Sequence, residues 1–94
     1  MSKLYVTEFA GMLPSGVPSG PPLVDQTPIT IGSAANQSLA FGINTHAVRL
    51  HSDVVCSYNV NGAQATTSSA RMTANQTEYV AVQAGGIVSV IANT

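Results

Sequence analysis

The chain has 94 residues, enough for one domain with a small core. Its apolar share of 45% is ordinary, but only 7% of its residues are charged and the formal net charge is −1, against roughly 25% charged residues in an average globular protein. Three basic side chains, at Lys3, Arg49 and Arg71, are too few and too scattered to neutralise a phosphate backbone, which excludes a nucleic-acid partner.

No apolar run approaches the ~20 residues that span a bilayer, which predicts no membrane association. The start, MSKLYVTEFAGM, has Glu8 and an alternating pattern where a signal peptide would carry an apolar block, so the expectation is a protein made and used on the cytosolic side. One cysteine, Cys56, supports neither an internal disulfide nor a thiolate metal site.

In chain order, KLYVTEFA (3–10) alternates, with Leu4, Val6 and Glu8 facing one way and Tyr5, Thr7 and Phe9 the other. That predicts a first strand with neither face wholly polar. Residues 11–28 carry all five prolines together with Gly11, Gly16 and Gly20. Proline removes backbone donors and fixes φ, so the segment reads as an extended arm without regular structure. Its hydrophobes, including Leu13, Val17 and Leu23, suit it to lie across a surface, its own or a neighbour's.

Short strands follow. ITIG places Ile29 and Ile31 on one face, and QSLAFGI places Leu39, Phe41 and Ile43 together at period two. NTH is a turn into AVRLHSDVVCSYNV (47–60). There Val48, Leu50, Ser52, Val54, Cys56 and Tyr58 share one side, while Arg49, His51 and Asp53 share the other. This is one half-buried strand, or two joined by a bend near Ser52-Asp53. Asn61-Gly62 is a hairpin signal. Turns at Asn75-Gln76 and at the AGG of residues 84–86 bracket TEYVAVQ, and IVSVIANT ends the chain. Turn signals every 8–12 residues or so, without a 3.6-residue period, predict an all-β domain of seven or eight strands, a sandwich or barrel.

Arg49, His51 and Asp53 are the only concentration of ionisable groups. Side chains at i and i+2 lie about 7 Å apart on one strand face, so they form a charge row rather than a hydrogen-bonded catalytic set. Cys56 falls on the opposite, apolar side, which separates it from His51 unless a bulge intervenes. His46 and His51 are an odd number of residues apart, and no H-x-H or CxxC spacing occurs. Glu8 and Glu78 do not make a supported carboxylate pair, and no glycine-rich stretch has phosphate-loop context. The expectation is no enzyme, no cofactor and no metal. Arg49, His51, Asp53, Leu13, Val17 and Leu23 are expected to contact a partner.

The segments MSKLYVTEFAG, VRLHSDVVCSYNV and RMTANQTEYVAVQAGGIVSVIANT, with the proline-rich arm between the first two, resemble a family of small tailed-bacteriophage proteins encoded among virion structural genes. The resemblance covers nearly the whole chain and includes no chemical motif. It implies a single domain over 1–94, a jelly-roll-like β-sandwich with an arm at 11–28. It further implies a capsid cement or decoration protein, a homotrimer bound to the major capsid protein or another virion protein, located in the virion after assembly in the host cytoplasm. The alternatives are a head-tail connector, a tail or fibre-anchoring protein, or a small glycan-binding module using Tyr58, Asn59 or the loop at Asn61–Ser69.

Overall fold

A computed structural model describes residues 2–60 and 64–93. Among them there are nine strands and no helix. They are β1 (Lys3–Phe9), β2 (Val24–Asp25), β3 (Ile29–Thr30), β4 (Asn36–Gln37), β5 (Ala47–Ser52), β6 (Cys56–Asn59), β7 (Ala70–Met72), β8 (Thr77–Ala81) and β9 (Ser89–Ala92). The protein is all-β, with two antiparallel sheets. In the first, β2 and β3 pair with the same side of β1, and β5 and β8 follow in the order β1-β5-β8. The second runs β4-β9-β6-β7.

The sheets form because alternation supplies each with one apolar face. Leu4 and Val6 of β1 and Val48 and Leu50 of β5 line the inner side of the first sheet. Cys56, Tyr58, Met72 and Val90 answer from the second, and all belong to one buried cluster. The length of β1 follows from its pairing, since Leu4 through Phe9 each have a partner between Ser52 and Ala47.

The expected bend near Ser52-Asp53 is present, and it carries the chain from the first sheet to the second. Ser52 organises it. Its hydroxyl donates to the Val54 carbonyl and accepts from the Cys56 thiol, its amide donates to the Gln76 carbonyl, and its carbonyl accepts from the Asn75 amide. Asn75 has φ of 60° and Gly85 of 78°. Asparagine tolerates the left-handed region and glycine enters it freely, which is why these two turns sit where they do. The hairpin signal at Asn61-Gly62 lies outside the described residues, although β6 and β7 on either side of it do pair.

Two expectations are corrected. The first is the apolar stripe at Leu39, Phe41 and Ile43. Phe41 is 3% exposed, but Leu39 and Ile43 are 72% and 84% exposed. The strand ends at Gln37, and the backbone beyond it bonds irregularly: the Phe41 amide to the Gly86 carbonyl, and the Thr45 amide to the Gly42 carbonyl in a turn with Ile43 at its corner. Without a ladder there is no period of two.

The second concerns the lack of regular structure in residues 11–28. Met12 bridges Pro18 in a tight loop, with Leu13 and Gly16 supplying amide donors, and β2 pairs with Thr7 and Glu8. The amides of Leu23 and Gln26 extend that pairing to the carbonyls of Glu8 and Val6. Prolines restrict which residues donate, and the non-proline residues between them suffice for an edge strand. In the 47–60 stretch, Leu50 and Cys56 are fully buried, whereas Val54, at the bend, is only partly covered.

Leu50→Ala is expected to cost about 2–5 kcal/mol of unfolding free energy, because the site is closed on all sides. Ile43→Ala should stay within about 0.5 kcal/mol. Urea unfolding of the two variants beside the parent measures both, and equal losses would contradict the burial described.

Candidate functional site

The outer face of the first sheet is where ionisable groups meet. Register places Tyr5 opposite His51 and Thr7 opposite Arg49, with Asp25 of β2 opposite Thr7 on its other side. Tyr5, Thr7, Asp25, Arg49, His51 and Asp53 thereby line an open groove of about 470 Å³, with Val6 and Gln26 completing its wall. The row expected at Arg49, His51 and Asp53 is thus held on one face, half-buried rather than fully in solvent. The remaining expected contact residues lie elsewhere: Leu13, Val17 and Leu23 are each nearly half exposed on the 11–28 segment.

Within the groove the Thr7 hydroxyl donates to Asp25 Oδ1 at 2.9 Å, and His51 Nδ1 meets Thr77 Oγ1 at 2.7 Å. The Tyr5 and His51 rings are tilted at 51° with centroids 6.3 Å apart. Among the described residues, neither the Arg49 guanidinium nor the Asp53 carboxylate takes a hydrogen bond or ion pair, and no group of three His, Cys, Asp or Glu side chains could hold a metal ion. Cys56 is buried between the sheets, on the far side of the first sheet from His51. Burial pushes its thiol up, the Glu78 charge adds to this, and the Ser52 hydroxyl opposes it only in part.

Tyr58, Asn59, Val60, Ser69, Ala70 and Val80 line a second depression of about 360 Å³. Tyr58 is only 9% exposed. Its hydroxyl donates to Glu78 Oε1 at 2.5 Å, and burial followed by this carboxylate raises the phenol far above its usual range.

Sequence reasoning passed over Glu8 except as an unplaced carboxylate. Glu8 is 2% exposed, beneath the arm and the loop that precedes β5. Its Oε1 accepts from the Gly42 amide at 2.9 Å and the Thr45 hydroxyl at 2.6 Å, and its Oε2 accepts from Gln26 Nε2 at 2.8 Å. Burial pushes the carboxyl up, but the three hydrogen bonds, Gly42 first, outweigh it and hold the group below its ordinary value. The signal was available: Glu8 continues the Leu4, Val6 face, and a charge on an apolar face must be met by donors.

Comparison with protein-family models, curated proteins and solved structures returned no match.

Because the folded carboxyl of Glu8 titrates below its unfolded counterpart, its contribution is complete above the unfolded value of about 4.5. It is lost as the pH falls through the folded value. Glu8→Gln turns an amide donor toward the Gln26 donor and is expected to cost about 2 kcal/mol at neutral pH. The variant should also show a shallower loss of stability in acid, and urea titrations at pH 7 and in the acid range would reveal both. Cys56 is expected to resist a thiol-specific reagent in the native protein and to react stoichiometrically once unfolded. Rapid labelling under native conditions would contradict its burial.

Proposed function

We propose that this chain is a structural virion protein of a tailed bacteriophage, a capsid cement or decoration protein that stabilises the head shell through protein–protein contacts. One observation carries the reading: six exposed apolar side chains stand on the segments that follow the C-terminal half of β1 or are bonded to it. Leu13 and Val17 stand on the loop that follows β1. Leu23 and Val24 are tied to Glu8 by the backbone, Leu39 is held by Gln26, and Ile43 follows the Gly42 amide that Glu8 binds. Large apolar side chains left exposed on a surface with so few charges support a docking role.

The proposal includes a homotrimer seated on the major capsid protein or another virion protein, in a virion assembled in the host cytoplasm. It also includes a jelly-roll-like form for the sandwich. In support of that form, the chain changes sheets between β3 and β4, β4 and β5, β5 and β6, β7 and β8, and β8 and β9. Stabilisation follows from mass action, because a protein that binds only the assembled shell favours that shell over its dissociated subunits. The resemblance of MSKLYVTEFAG, VRLHSDVVCSYNV and the 71–94 segment to small phage virion proteins supports the same reading.

The test compares phage heads made with and without this chain. Heads lacking it should disrupt at a lower temperature, and re-addition of the purified protein should restore the parent value. Re-addition of a Leu23→Asp, Ile43→Asp variant should not. Heads of unchanged thermal stability, or a copy number per particle that fits a single ring at the neck or tail, would overturn the cement role.

A further inference from the structure

The outer-face groove has a donor and acceptor pattern that the docking role leaves unused. Asp25 and Asp53 offer only acceptors at neutral pH, and Arg49 offers only donors. Thr7 already spends its proton on Asp25, which leaves the hydroxyl oxygen as an acceptor, and His51 keeps Nε2 beyond its Thr77 contact. A ligand lying along the groove meets two carboxylate acceptors and a guanidinium donor. Two carboxylates in the lining disfavour an anion, and the guanidinium in the same lining disfavours a cation. Hydroxyl groups do both jobs without net charge.

Tyr5 supplies the other half of the requirement. It is 42% exposed and stands in the groove wall beside His51, offering an apolar ring face next to polar groups. Adjacent strands are roughly 4.8 Å apart, so the Asp25–Thr7–Arg49 row spans about 10 Å, with Tyr5 and His51 one pleat along. That is the footprint of one or two sugar rings, and the volume of about 470 Å³ falls within the ~300–1,000 Å³ of small-ligand sites. Among the described residues the Arg49 guanidinium and the Asp53 carboxylate take no hydrogen bond or ion pair, which fits a site whose partner comes from outside the chain.

We infer that the groove of Tyr5, Thr7, Asp25, Arg49, His51 and Asp53 is a binding site for a neutral carbohydrate. One sugar face stacks on Tyr5, and its hydroxyls bridge Arg49 to the two aspartates. This site is distinct from the apolar cluster and stands whether or not the chain decorates a capsid.

The test is a titration of the isotopically labelled full chain with glucose, galactose, mannose, N-acetylglucosamine and their short oligomers, read by amide chemical shifts. At least one sugar should move the amides of Tyr5, Thr7, Arg49 and His51 together, with an affinity that salt does not change. Tyr5→Ala and Asp53→Ala should each weaken it roughly tenfold. Should Tyr5→Ala lower the melting temperature, Tyr5→Leu keeps the bulk without the aromatic face and must show the same loss. A panel that leaves these amides unmoved, shifts centred elsewhere, or full affinity in folded Tyr5 and Asp53 variants would overturn the site. Binding abolished by salt would do so as well, because contacts to a neutral sugar are not ion pairs that salt screens.

Discussion

The buried carboxylate of Glu8 is the constraint on which the irregular half of this fold depends. β1 and β5 hold each other through a continuous ladder and need no further help. The segments at 11–28 and 38–46 have short strands or none, so their position must come from specific bonds. Glu8 provides them, taking one donor from Gln26 of the first segment and two, at Gly42 and Thr45, from the second. Gln26 then closes the circuit: its Oε1 accepts from the Leu39 amide and its Nε2 also reaches the Leu39 carbonyl. A desolvated charge with one donor missing is costly, so the arrangement tolerates little play.

This dependence explains which parts of the fold were legible in the sequence. Where strands pair over several residues, alternation found the inward side chains, Leu4 and Val6 in β1 and Val48 and Leu50 in β5, although Thr7 and Phe9 on the other face of β1 are buried as well. Alternation failed at Leu39 and Ile43 because a period of two has meaning only on a ladder, and the ladder had already ended. It was silent on β2, since two residues between prolines carry no period at all. The charge row was legible because Arg49, His51 and Asp53 lie on one strand and its bend. Its partners Tyr5 and Asp25 were not, since they join it only through the register of β1 with β5 and β2.

The scarcity of charge has a counterpart inside the molecule. Ser38, Ser52, Ser57 and Ser89 are all buried, and each hydroxyl is bonded: Ser38 to the Val88 amide, Ser89 to the Ala65 amide, Ser57 to the Asn93 side chain, and Ser52 at the bend. Among the described residues no buried side-chain nitrogen or oxygen lacks a partner. Small hydroxyls satisfy backbone groups near the strand ends with little volume and no charge to desolvate. A 94-residue domain with a small core can afford many such bonds but few like that of Glu8.

The edge beside β1 shows how the same economy shapes the surface. Two short strands cover it, separated by Gln26, Thr27 and Pro28, and the missing amide of Pro28 interrupts the outward row of donors. An edge broken in this way resists indiscriminate strand addition. In the proposed docking role, association at this edge is left to side chains, with Leu23 and Val24 exposed along it. Apolar contact without charge complementarity is slow to find its target, and specificity then rests on shape and on the number of contacts made at once. In the proposed cement role, a lattice that repeats one surface at fixed spacing would supply that multiplicity to an oligomeric binder.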